Sequence, residues 1–286
     1  MCTVRDEDFK DYLERFHEMI VAAIKYWRPN FICLNELSFP NLDEKQINQD
    51  DPLRKSLKLL QGKLRRQLTR LAKDNQVYII AGSYHDQKSY FNTAPIFHCH
   101  QVDSIHNPYL HNKLVSAAAL QEYILTPSLR KVTYYSTPYG NFSVLICLDS
   151  YDASIIFSLL SNNIRRTDSK RGPTSDHIKI VFVPSLNPDN QALAICENLS
   201  FAAATIVAFS NCGPRRKKDR MAVFVAGKRW KPEPVPELKM YQDNLQCFSI
   251  PREGVKGTEM LIRGIEKEYT QEFKYILGLQ GAIVHG

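Results

Sequence analysis

The spacing of apolar residues predicts helices and strands that alternate along most of the chain. Between residues 7 and 26, Phe9, Tyr12, Leu13, Phe16, Met19, Ile20, Ala23 and Ile24 recur at three- and four-residue intervals, which places them on one helix face. Arg28-Pro29-Asn30 ends that helix. Phe31-Ile32-Cys33-Leu34 is a continuous apolar run and predicts a buried strand closing at Asn35-Glu36. Residues 41–52 are polar and irregular. A second amphipathic helix is expected over 53–73, with Leu57, Leu60, Leu64, Leu68 and Leu71 on one side. Further strands are expected at 77–82, 91–100 and near 101–105. Residues 132–136 and 142–147 predict a hairpin around Thr137-Pro138-Tyr139-Gly140-Asn141. Helices are expected at 153–160 and 191–204, and strands at 178–183, 205–210, 222–226 and 246–250. The polar, basic stretch 165–176 reads as an exposed loop and an insertion. Strands alternating with helices define an α/β protein whose sheet faces are covered by helices. No strong linker divides the pattern, so residues 1–286 are expected to form one domain.

Composition narrows this only a little. The chain is 44% hydrophobic and 23% charged, which is enough apolar material for a large core and excludes global disorder. A net charge of +7 favours anionic partners in general. Its sources, such as Lys63-Leu64-Arg65-Arg66 and Arg215-Arg216-Lys217-Lys218, read as solvated surface. The seven cysteines are odd in number and form no close CxxC pair, which points to a reducing compartment. No secretory leader and no membrane-length apolar run is present, so a cytoplasmic location is expected. His98, His100, His106 and His111 invite a metal hypothesis. No carboxylate or cysteine stands at metal-ligand spacing from them, so they are expected to be exposed strand and loop histidines, with no metal and no cofactor.

Three reactive side chains lie at or just after strand ends, where chemistry gathers in α/β sheets. They are Glu36, Cys147 and Lys113, the last within Tyr109-Leu110-His111-Asn112-Lys113-Leu114. Taken singly, Cys147 reads as a core thiol and Glu36 as a surface acid, and Lys113 says little. The order of five segments changes that weighting. They are Phe31-Ile32-Cys33-Leu34-Asn35-Glu36-Leu37-Ser38-Phe39-Pro40, Asn92-Thr93-Ala94, Tyr109-Leu110-His111-Asn112-Lys113, Leu145-Ile146-Cys147-Leu148-Asp149, and Ala194-Ile195-Cys196-Glu197-Asn198 followed by Asn211-Cys212-Gly213. Together they resemble the carbon–nitrogen hydrolase (nitrilase-like) superfamily over roughly residues 5–230.

The resemblance implies an α-β-β-α sandwich, commonly paired into a homodimer. It also implies a Glu-Lys-Cys triad, with Glu36 as general base, Lys113 as the oxyanion-stabilising cation and Cys147 as nucleophile. Glu122 takes the place of a second glutamate near the lysine, in a supporting role. The implied reaction is hydrolysis of a non-peptide carbon–nitrogen bond through a cysteine thioester. Its substrate would be a small amide or N-carbamoyl compound, less often a nitrile. The chemistry is consistent: a thiol attacks only as thiolate, a carboxylate can take its proton, and a fixed cation stabilises the developing oxyanion. The expected partners are that substrate and a second copy of the chain, with no membrane.

Departures from the family pattern support an alternative. Asn35 stands where the family often has Pro. Only Met1 to Val4 are available for a first strand, so part of that strand is expected to be lacking. Gly227-Lys228-Arg229 replaces a Gly-x-Ser stretch. The alternative is a non-catalytic, nitrilase-like binding or regulatory module of a larger protein or complex, associated with nucleotides or nucleic acid. A third reading is a cysteine protease or acyltransferase with a histidine base, for which no signature is recognisable.

Overall fold

The computed structural model describes residues 6–39, 52–86, 89–98, 108–117, 122, 124–127, 131–167, 178–186, 191–211, 221–232, 245–250 and 273–278. Two sheets are built from them. The first contains β1 (Phe31–Leu34), β2 (Tyr78–Ile80), β3 (Tyr84–Asp86), β4 (Phe91–Phe97), β5 (Tyr109–Asn112), β12 (Leu245–Ile250) and β13 (Phe273–Gly278). Its order is β12-β13-β1-β2-β4-β3, with β5 also paired to β4. The second contains β6 (Tyr134–Tyr135), β7 (Asn141–Val144), β8 (Ile178–Ser185), β9 (Ile206–Asn211), β10 (Met221–Val225) and β11 (Lys228–Trp230), in the order β11-β10-β9-β8-β7-β6.

The period-2 alternation of a strand explains the layers. On β1, Phe31 and Cys33 face the second sheet and join Phe142, Val144, Ile180, Phe182 and Val223 in one apolar cluster. Ile32 and Leu34 face the other way, into a cluster with α1 (Asp6–Trp27) and α2 (Pro52–Asn75). The second sheet repeats this. Val181, Val183, Val207 and Phe209 turn outward to α3 (Ala153–Thr167) and α4 (Gln191–Ala202). The result is the expected α-β-β-α sandwich. Helices at the expected places form because their apolar stripes have sheets to cover: Leu13, Phe16, Ile20, Ala23 and Ile24 of α1 are all buried. Arg28, in the left-handed region (φ 46°), and the following Pro29 stop α1.

Several expectations need correction. Helix α3 continues to Thr167, so residues 165–167 are helical and not loop; the rest of the expected insertion, 168–176, lies outside the described residues, as do residues 1–4 and 101–105. β3, β5, β11 and β13 were not expected, and β13 pairs in parallel with β1. His98 and His111 are buried, at 5% and 3% exposure, and not exposed. His98 stacks on Tyr109 with ring centroids 4.2 Å apart. His111 accepts or donates a 3.1 Å hydrogen bond with the Tyr135 hydroxyl, and burial lowers its pKa to about 4. Lys63 and Arg66 are exposed as expected, whereas the Arg65 guanidinium lies 5.2 Å from the Phe39 ring centroid.

Candidate active site

The turn after β1 presents Glu36. Its backbone is fastened from both sides: Leu37 N–H donates to Ser83 Oγ at 3.1 Å, and Ser38 Oγ–H donates to the Asn35 carbonyl at 2.7 Å. Gly82 makes this approach possible. A Cβ there would stand 2.0 Å from Ser38 Oγ and 2.4 Å from the Asn35 carbonyl oxygen, closer than any side chain tolerates. The Tyr12 hydroxyl of α1 donates to the Ser38 carbonyl, so the first helical layer braces the same turn.

Lys113 follows β5 and is 1% exposed. Its ammonium donates to Glu36 Oε1 at 2.7 Å and to Glu122 Oε1 and Oε2 at 3.0 and 2.8 Å. Burial works against the charged ammonium, but the two carboxylates outweigh it and hold the lysine above its usual range. Asn92 on β4 links the same acids, donating to Glu36 Oε1 at 3.0 Å and to Glu122 Oε1 at 2.9 Å. Its carbonyl accepts the Lys113 N–H at 2.8 Å. Glu122 also accepts the Ala117 N–H at 2.8 Å. Burial raises its pKa, yet hydrogen bonds from His85, Lys113 and Asn92 prevail and hold it at about 2.

Cys147 reaches the site from the second sheet. It opens a short 3-10 helix, Cys147–Tyr151, and does not close the strand as expected, since β7 ends at Val144. Its φ of 49° is a strained conformation for a side chain-bearing residue. The neighbouring strand end completes the arrangement. Ser185 Oγ–H donates to Cys147 Sγ at 3.4 Å, and Leu186 N–H donates to Glu36 Oε2 at 3.0 Å. Two consecutive residues at the end of β8, its last residue Ser185 and the following Leu186, thus touch the thiol and the carboxylate. Burial and then the Glu36 carboxylate push the thiol up to about 12, against the pull of Ser185, Lys113 and the Leu186 N–H. The surroundings of the resting sulfur therefore favour the thiol over the thiolate.

Asp149 joins the two loops. Its buried carboxylate accepts Leu114 N–H at 2.9 Å, Val115 N–H at 2.8 Å and Ile146 N–H at 2.9 Å. Burial pushes it up to about 7 against these three donors. The structure thus brings Glu36, Lys113, Glu122 and Cys147 to one site. Sequence reasoning missed roles for His85, Asn92, Asp149, Ser185 and the Leu186 N–H. Asn92 and Asp149 stood inside quoted segments, and Ser185 stood at the end of an apolar run, where a strand-end polar residue was the available signal. Among the described residues, no group of three His, Cys, Asp or Glu side chains could hold a metal ion, and no helix is long and apolar enough to cross a membrane.

The sequence profile described as carbon-nitrogen hydrolase matches residues 1–163. No curated protein matches the sequence. Solved structures are similar at low identity. Glutamine-dependent NAD+ synthetase from Acinetobacter baumannii is 17% identical with a TM-score of 0.52. That match covers 79% of this chain and only 40% of the synthetase, so the chain corresponds to less than half of that protein. Saccharomyces cerevisiae Nit3, of the nitrilase superfamily, is 18% identical, with 77% and 79% of the two chains covered and a TM-score of 0.51. An amidase of the same superfamily from Nesterenkonia is 15% identical, with 82% and 84% covered and a TM-score of 0.54.

Proposed function

Because the chain belongs to the carbon-nitrogen hydrolase family, we propose that it is an amidase-type hydrolase acting through Cys147, Glu36 and Lys113. One observation carries this reading: a buried ammonium clamped between two carboxylates, with the Cys147 thiol tied by adjacent residues to one of them. Glu36 Oε1 is occupied by Asn92 and Lys113, while Oε2 accepts only the Leu186 N–H among the described hydrogen bonds. A carboxylate oxygen has two lone pairs, so Oε2 retains capacity for a proton.

In the proposed reaction, the Cys147 proton passes to Glu36 as sulfur attacks the amide carbon. Lys113 stays protonated and stabilises the oxyanion. Glu36 returns the proton to the leaving nitrogen, the C–N bond breaks and an amine or ammonia departs, leaving a thioester. Glu36 then takes a proton from water, hydroxide adds to the thioester, and the thiol is regenerated with release of the carboxylic acid. Glu122 fixes Lys113 and takes no proton. The substrate class is a small linear amide or N-carbamoyl compound. In variants of the Nesterenkonia amidase, acrylamide and the acetamide moiety of fluoroacetamide add covalently at the active-site cysteine, which supports the same role for Cys147.

Ammonia release from a panel of small amides and carbamoyl compounds, measured beside Cys147→Ala, tests the reading. Turnover by the parent and none by the variant is expected; equal rates for the two sink it. The exposed Phe157 and Phe201 rings of α3 and α4 support pairing of two copies through that layer, to be read as a dimer mass by light scattering.

A further inference from the structure

The network around Lys113 holds two carboxylates and one ammonium, all nearly buried. A further group faces it from the solvent side. His85 on β3 brings Nε2 to 3.3 Å from Glu122 Oε1. Its side chain is 36% exposed, against 9% for Glu122 and 2% for Lys113. An ionised carboxylate only accepts hydrogen bonds, so Nε2 carries the hydrogen. Strand pairing sets this contact: β3 lies antiparallel to β4 with His85 opposite Asn92, and Asn92 donates to the same Oε1. Among the described residues, Lys113 and through it Glu36 share the Glu122 network that His85 joins, and Asp86 follows on its own strand, where it accepts the Ser89 hydroxyl at 2.7 Å.

Glu122 belongs to no strand or helix. Among the described residues its side chain is held by Lys113, Asn92, Ala117 N–H and His85, its carbonyl accepts Ser116 Oγ–H at 2.5 Å, and its own N–H donates to the Ala117 carbonyl at 3.2 Å. A carboxylate held this way depends on every donor around it, and a lysine clamped by that carboxylate inherits the dependence.

We propose that His85 is a positioning residue for the hydrolysis: its imidazole holds the Glu122 carboxylate from the solvent side and keeps Lys113 locked against Glu36. This rests on the functional reading above. His85 reaches the network at Glu122 Oε1, so it acts through Glu122. Its loss should loosen the oxyanion-stabilising ammonium and leave substrate binding largely intact.

The test compares His85→Leu, which deletes the donor, with His85→Gln, whose amide N–H can replace it. The full chain is used, with the best amide of the panel as substrate. His85→Leu should lower kcat about tenfold with KM nearly unchanged, and His85→Gln should recover most of the loss. The rate of Cys147 alkylation by iodoacetamide should follow the same order, because a displaced Lys113 no longer favours the thiolate. This second readout needs no substrate. If the parent protein turns over no amide but alkylation follows the order, the hydrolase reading fails and the role of His85 stands. If turnover is present but both readouts are the same in His85→Leu as in the parent, the positioning role is overturned. An equal loss in both variants, with a matching drop in melting temperature, also overturns it, because the imidazole would then be serving the fold alone.

Discussion

Four residues separate Phe31 from Glu36, yet the two lie in opposite kinds of environment. Phe31 is held among Tyr78, Phe142 and Phe182, with ring centroids 5.3 to 5.7 Å away. Glu36 is held by Lys113, Asn92 and the Leu186 N–H. Both are buried and both bridge the two sheets. The aromatic cluster fixes the sheet spacing through non-directional contact, which tolerates small shifts. The charged cluster does not tolerate them, because each buried charge stripped of a partner is costly. The dry region therefore sets the distance at which the polar region can work.

This difference can be broken from either side. The largest expected effect is on chemistry alone: Cys147→Ala should abolish turnover, a loss of at least about 10³-fold, while leaving the melting temperature close to the parent's. Next comes Phe31→Ala, expected to reduce stability by about 3–5 kcal/mol, read in urea unfolding. Smaller, Asp149→Asn should cost about 1–3 kcal/mol by leaving backbone donors of the Lys113 and Cys147 loops poorly paired. It should also slow turnover, since both loops lose their common anchor. The smallest effect is a pH signature. Glu122 has its folded pKa lowered to about 2, below the unfolded carboxylate value of about 4.3. The stability it contributes is therefore complete above that unfolded value and is lost as pH falls toward its folded value. The gap in melting temperature between the parent and Glu122→Gln should be constant at neutral pH and close as the solution is acidified through that window.

The aromatic side of the comparison was legible in sequence, and the polar side only in part. Phe31–Leu34 and 178–183 are apolar runs, and a buried strand follows directly from them. Glu36, Lys113 and Cys147 were legible because ordered segments framed them. His85 and Ser185 were not, since one histidine or serine carries no periodic signal and its role depends on pairing across strands. β3 and β5 escaped for a related reason: three or four residues, including His and Asn, lack an apolar pattern, and only β4 gives them a partner. The burial of His98 and His111 was missed because aromatic neighbours far along the chain, such as Tyr135, supply their cover.

In the proposed reaction Cys147 is the nucleophile and Glu36 and Lys113 serve it. Intact-mass spectrometry with peptide mapping tests it most directly, after brief incubation of the parent, Glu36→Gln and Lys113→Met with fluoroacetamide. One adduct is expected on the parent, mapped to Cys147 with Cys33, Cys196 and Cys247 unlabelled, together with markedly slower labelling of both variants. Labelling spread over other cysteines, or equal rates in all three proteins, would contradict it.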